Sequence, residues 1–157
     1  MTVNIWYFIV AVVARGPTAD DEPSLPALLR AGWSAYIAAV RASLDAAGFA
    51  DLPRSGPYVI SAVSRSGAPL AQIIASLAVS KQAAGQLVDA LVLRGYLERS
   101  VDRKDRRRQR VSLSERGRAA AAIIRGVVDR IDEKLVRLVG AEYVAHTRAT
   151  LRALKEI

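Results

Sequence analysis

The sequence has 157 residues, 52% of them hydrophobic, enough for one domain with a real core or one domain plus an appendage. It contains no Cys and one His, which excludes disulfides, thiolate zinc sites, cysteine redox sensing and His-rich metal centres, and leaves almost no nucleophile–base pair for an enzyme. A net charge of +8 favours an anionic partner: nucleic acid, an anionic membrane surface or an acidic protein.

The chain opens with "NIWYFIVAVVA", residues 4–14, followed by the polar linker "RGPTADDEP". The apolar run is shorter than the roughly 20 residues a membrane-spanning helix needs, and no basic region precedes it as in a signal peptide. Residues 1–22 are expected to be an extension that packs or makes a dimer contact. A disordered or mis-assigned start and a membrane or export role, such as a tether through residues 4–14, are the alternatives, and a cytoplasmic location is expected.

Ser24 is placed to cap a helix with Pro26 in its first turn, and Leu28, Leu29, Trp33, Tyr36, Ile37, Val40 and Leu44 recur at helical spacing. Gly48 and Pro53 end that helix. A short second helix opens at Ser55, with Val59, Ile60 and Val63 on its apolar side, and Pro69 begins a third, "PLAQIIASLA".

Ser80 is predicted to cap the next helix. At about 100° per residue, with Lys81 at zero, Ala84, Leu87, Val88 and Leu91 form one stripe at about 240–340°. Lys81, Gln82, Gly85, Gln86 and Asp89 fall on the other face, at about 0–140°. Gly85 costs about 1 kcal/mol relative to Ala inside a helix. Close approach of another surface would justify it, and so would neutral drift on an exposed face.

Gly95 ends this helix. "YLERSV" and "RVSLS" then alternate as strands, with "DRKDRRRQ" as the tip between them. Between Arg94 and Arg118 there are ten Lys or Arg against four Asp or Glu, a net of +6 in one segment. Structured flanks make this a basic hairpin rather than a tail. Ser114 caps a long helix whose Ala119, Ala120, Ile123, Ile124, Val127, Val128, Ile131, Leu135 and Leu138 form an apolar stripe. Gly140 interrupts it, and a last helix runs from about Glu142. Such stripes on terminal helices usually bury against a second copy.

The fold class is therefore mainly α with a small β-hairpin: a winged helix-turn-helix flanked by N- and C-terminal dimerisation helices. The expected organisation is 1–22 extension and linker, 23–54 N-terminal dimerisation helix, 55–113 winged helix-turn-helix and 114–157 C-terminal dimerisation helices. From residue 24 onward the sequence resembles the MarR family of bacterial winged-helix regulators. The wing pattern carries the resemblance most specifically, with Asp105, Arg107 and Arg110, then Leu113, Ser114 and Gly117.

The resemblance implies a homodimeric regulator of double-stranded DNA, expected to repress, reading a pseudo-palindromic operator. It implies no cofactor. Base contacts are expected from Ser80, Lys81, Gln82 and Gln86, since Gln can pair with adenine and Lys can donate to guanine, and Gly85 is expected on the same DNA-facing surface. Backbone contacts are expected from Arg103, Lys104, Arg106, Arg107, Arg108 and Arg110, with Arg106 or Arg107 at the tip and Asp105 bracing the wing. Asp102 is an alternative brace, and both aspartates also suit plain turn chemistry. Release by a small aromatic ligand is implied, and Trp33, Tyr36 and Tyr58 are its candidate contacts, although aromatics at helical spacing also serve as plain core. Use of the winged helix as a protein-interaction module is the competing reading; it predicts an apolar recognition face.

Overall fold

Two helix ends of identical construction meet at the centre of the fold. The computed structural model describes residues 22–66, 80–101 and 109–156. Helix α1 spans Leu25–Ala46, α2 Gly56–Ser66 and α3 Lys81–Leu93; strands β1 Leu97–Val101 and β2 Gln109–Leu113 follow. Helix α4 spans Glu115–Val139 and α5 Ala141–Ala153, with a final 3₁₀ turn at Leu154–Glu156. The expected helix over residues 69–78, the turn before Ser80, the stretch 4–14 and the hairpin tip lie outside the described residues.

At the end of α1, Gly48 N–H donates to Asp45 O at 3.2 Å and Phe49 N–H to Leu44 O at 2.9 Å. At the end of α3, Gly95 N–H donates to Val92 O and Tyr96 N–H to Leu91 O, both at 2.9 Å. This is the Schellman arrangement, which satisfies the last carbonyls of a helix and requires a left-handed residue. Gly48 and Gly95 supply it, at φ 85° and 72°. The residues that follow, Phe49 and Tyr96, then turn inward, and their ring centroids lie 6.2 Å apart.

The chain divides into two compact units at Ala35 and Tyr36. In the first, α1 carries Leu25, Leu28 and Trp33 exposed at 45–56%. The second contains the core. Val40 and Leu44 of α1, Val59, Ile60 and Val63 of α2, and Val88 and Leu91 of α3 are buried there with Tyr96, Leu97 and Val111. Ala120, Ile124 and Val127 of α4 complete it. All but Tyr96, which turns inward from the cap of α3, are apolar-stripe or inward strand positions of the sequence, which is why these segments form amphipathic elements.

The strands pair antiparallel, Leu97 opposite Leu113 and Val101 opposite Gln109. Leu97 and Val111 are buried while Glu98, Arg110 and Ser112 are exposed, as the alternation expects, whereas Arg99, on the inward face, is exposed. Beyond Ile131, α4 emerges from the core. Leu135, Val136, Leu138, Val139 and Tyr143 are 37–69% exposed on α4 and α5.

Candidate nucleic-acid interface

Helix α3 presents the predicted two faces. Ala84, Val88 and Leu91 are fully buried, and Lys81, Gln82, Gln86 and Asp89 are exposed. Ser80 caps the helix: its Oγ accepts from Ala83 N–H at 3.2 Å. Its side chain is thus engaged with the backbone at the point where the polar face begins. Among the described residues, a Cβ placed on Gly85 would meet no atom within 4 Å. No packing against the described residues therefore demands glycine at this position.

The hairpin is fastened to α3 and α4 by one knot. Ser114 N–H donates to Tyr96 O at 3.1 Å. Ser114 Oγ donates to Gly95 O and accepts from Gly117 N–H at 3.0 Å, capping α4. Gly117 is packed so closely that a Cβ there would fall 2.0 Å from Tyr96 O. Arg116 donates to Arg94 O and to Asp51 Oδ1, each at 2.8 Å. Its guanidinium lies 4.4 Å from the Tyr96 ring centroid, and Tyr96 Oη donates to Asp51 at 2.7 Å.

The electrostatics follow from this geometry. The hydrogen bond from Tyr96, followed by that from Arg116, holds the Asp51 carboxyl below its ordinary value against an opposing effect of desolvation. Burial, and then the hydrogen bond to Asp51, pushes the Tyr96 phenol up to about 12.

On the hairpin, Arg110 is exposed on β2, opposite Ser100. Arg103, Lys104, Asp105, Arg106, Arg107 and Arg108 lie outside the described residues, as does Asp102. Arg99 of β1, which is not among the residues expected from the sequence, forms an ion pair with Asp89 of α3. Its signal is a break in the strand pattern: Arg99 stands where alternation from Leu97 calls for an inward residue.

The aromatic candidates are separated by environment. Trp33 is 56% exposed on α1 and Tyr58 40% exposed on α2. Tyr36 is half-buried, and its hydroxyl donates to Asp132 Oδ1 at 2.5 Å. Arg148 donates to the other oxygen of Asp132 at 2.6 Å, so α1, α4 and α5 share one carboxylate. Burial, then the Asp132 hydrogen bond, raises the Tyr36 phenol to about 12. A cleft of about 560 Å³ opens elsewhere, between α2, β2 and α4, where Ser64, Ser112, Arg118 and Arg125 surround Val63 and Ala121. Among the described residues no helix is long and apolar enough to cross a membrane, and no group of metal-ligating side chains is present.

Residues 50–108 match the sequence model of the MarR family. No curated protein matches the sequence. Among solved structures, that of Streptococcus pneumoniae FabT in complex with DNA is 19% identical, at a TM-score of 0.71 over 82% of this chain and 91% of that one. The S. aureus MepR–DNA complex is 18% identical, at 0.68 over 87% and 100%. The reduced form of MarR from E. coli is 20% identical, at 0.66 over 85% and 98%. At such identity these are likenesses of fold: a winged helix-turn-helix, as the hairpin and helix order require.

Proposed function

We propose that the chain, whose residues 50–108 match the sequence model of the MarR family, is a homodimeric, sequence-specific DNA-binding repressor that reads a pseudo-palindromic operator. The observation that carries the reading is the α3 surface. Lys81, Gln82 and Gln86 stand exposed on one face while Ala84, Val88 and Leu91 on the opposite face are fully buried. A helix so divided presents hydrogen-bonding groups of the kind that read base edges in the major groove. That face is polar from Lys81 to Asp89 and carries one exposed apolar side chain, Leu93, at its C-terminal end, which favours base reading over a protein-interaction module. Two structures of similar fold, FabT and MepR, contain DNA, which supports the same mode here.

The exposed apolar end of α4 and α5 supports a dimer in which residues 23–54 and 114–157 pack against their counterparts. Two copies of α3 would then read half-sites about one helical turn apart. The basic segment 103–108 would follow the phosphate backbone, with Asp105 bracing it and Arg110 at its base. Release by a small aromatic ligand is the finest part of the proposal, with Trp33, Tyr36 and Tyr58 as contacts.

The test of the DNA contact is a salt titration on a duplex of random sequence. Replacing Arg106 and Arg107 with Ala should weaken binding across all sequences. It should also reduce the slope of log affinity against log salt by about 0.9 for each phosphate that is no longer neutralised. An unchanged slope overturns the role given to the wing.

A further inference from the structure

We infer that Asp89 and Arg99 form a positioning pair that sets the wing at a fixed angle to the recognition helix, and that sequence discrimination depends on it. The inference rests on the DNA-binding reading above and adds a residue that neither the sequence motif nor the fold likeness assigns.

The two residues stand at the junction of the two elements that would touch DNA. Asp89 lies at about 80° on the α3 wheel, between Gly85 and Gln82, in the middle of the polar face. Its side chain is 61% exposed. Left alone there, a carboxylate would oppose a polyanion and cancel the charge of Lys81. It is not alone, because Arg99 pairs with it from β1.

The strand explains why an arginine is available. Arg99 pairs across the hairpin with Val111, and Leu97 shares its face by the two-residue repeat. Both Leu97 and Val111 are 2% exposed, so this face points inward. At Arg99 the inner face passes beyond the core and meets α3 instead. The position that alternation assigns to an apolar side chain thus carries the cation that reaches Asp89. The knot at Tyr96, Ser114 and Gly117 fixes the root of the hairpin. The Asp89–Arg99 pair adds a second point of attachment one step further out. The burial of Leu97 and Val111 holds the hairpin on the core, and the pair adds the tie from β1 to the polar face of α3. The pair thereby holds the described part of β1 against α3.

A positioning pair is distinguished from a phosphate contact by what its removal changes. The experiment uses the full-length chain, the duplex it enriches from a random library, and a scrambled duplex of equal length and composition. The affinity ratio between the two duplexes is measured for the wild type, Asp89→Ala, Arg99→Ala and the double variant. Each single change should lower the ratio about tenfold, and the double should lower it no further, the non-additivity expected of two groups acting as one. Asp89→Asn, which keeps the side-chain shape, should behave as Asp89→Ala.

Thermal unfolding should stay close to the wild type, because an exposed ion pair contributes little to stability. Three results overturn the inference: losses that multiply in the double variant, a ratio unchanged in variants that unfold at the wild-type temperature, or a flatter salt slope in Arg99→Ala, which would make Arg99 a phosphate contact. Equal binding of both duplexes by the wild type overturns the DNA-reading premise itself, a separate outcome.

Discussion

Arg116 lies over Tyr96, 4.4 Å from its ring centroid, and both residues donate to Asp51, at 2.8 and 2.7 Å respectively. One carboxylate in the loop after α1 thereby fixes the root of the wing and the start of α4. Tyr96→Phe removes one hydrogen bond and keeps the packing, so it should lower stability by about 1 kcal/mol. Arg116→Ala also removes the ring interaction and the bond to Arg94 O, and should cost more than Tyr96→Phe. Urea unfolding midpoints check both. A larger loss for Tyr96→Phe would contradict this arrangement.

Two glycines predict opposite effects. A Cβ at Gly117 would fall 2.0 Å from the Tyr96 carbonyl, which is backbone and cannot step aside. Gly117→Ala should therefore destabilise by about 3 kcal/mol, the upper range for overpacking. At Gly85 the same Cβ meets nothing within 4 Å among the described residues. Gly85→Ala should stabilise the free protein by up to about 1 kcal/mol through helix propensity. If α3 approaches DNA closely at this point, the variant is more stable and binds more weakly. Gain of stability with unchanged affinity would move the contact surface away from Gly85.

Alkaline stability should report the two carboxylate-bound phenols. Both Tyr36 and Tyr96 are raised from 10.0 to about 12 in the folded chain. The folded state thus holds their protons more tightly than the unfolded state. Their contribution is complete below pH 10 and is lost as pH rises toward 12. Thermal unfolding across that range should fall more steeply in the wild type than in Tyr36→Phe/Tyr96→Phe. At the acid end the sign reverses: Asp51 is lowered, so its contribution is present above the ordinary carboxylate value and lost as pH falls through the folded one. Asp51→Asn should flatten the acid limb. Parallel profiles for variants and wild type would contradict both assignments.

The apolar surface at the end of α4 supplies a prediction about assembly. Leu138 and Val139 are 52% and 41% exposed. Leu138→Glu/Val139→Glu should convert a dimer into a monomer by sedimentation equilibrium and abolish recognition of a two-half-site duplex. A wild-type monomer would contradict the dimer.

The legibility of the sequence followed the range of the interactions. Caps and breaks are local, so Ser80, Gly95, Ser114 and Gly140 marked element ends within a residue or two. The two faces of α3 were legible because a 3.6-residue period needs only neighbouring positions. Strand alternation placed Leu97 and Val111 inward for the same reason. Contacts across the fold were not legible. Asp51 and Arg116 are 65 positions apart, and Tyr36 and Asp132 are 96 apart, so no pattern along the chain announces either pair. Arg99 was the intermediate case: its break in the alternation was visible, but its partner Asp89 was not.

The central claim is sequence-specific DNA reading by a two-fold dimer, and unbiased selection from a random duplex library at physiological salt tests it most directly. The account predicts enrichment of a pseudo-palindrome with half-sites about one helical turn apart, and a changed preference at defined positions for Gln82→Ala or Gln86→Ala. Binding without enrichment would leave charge-driven contact alone and contradict the assignment of α3 as a reading helix.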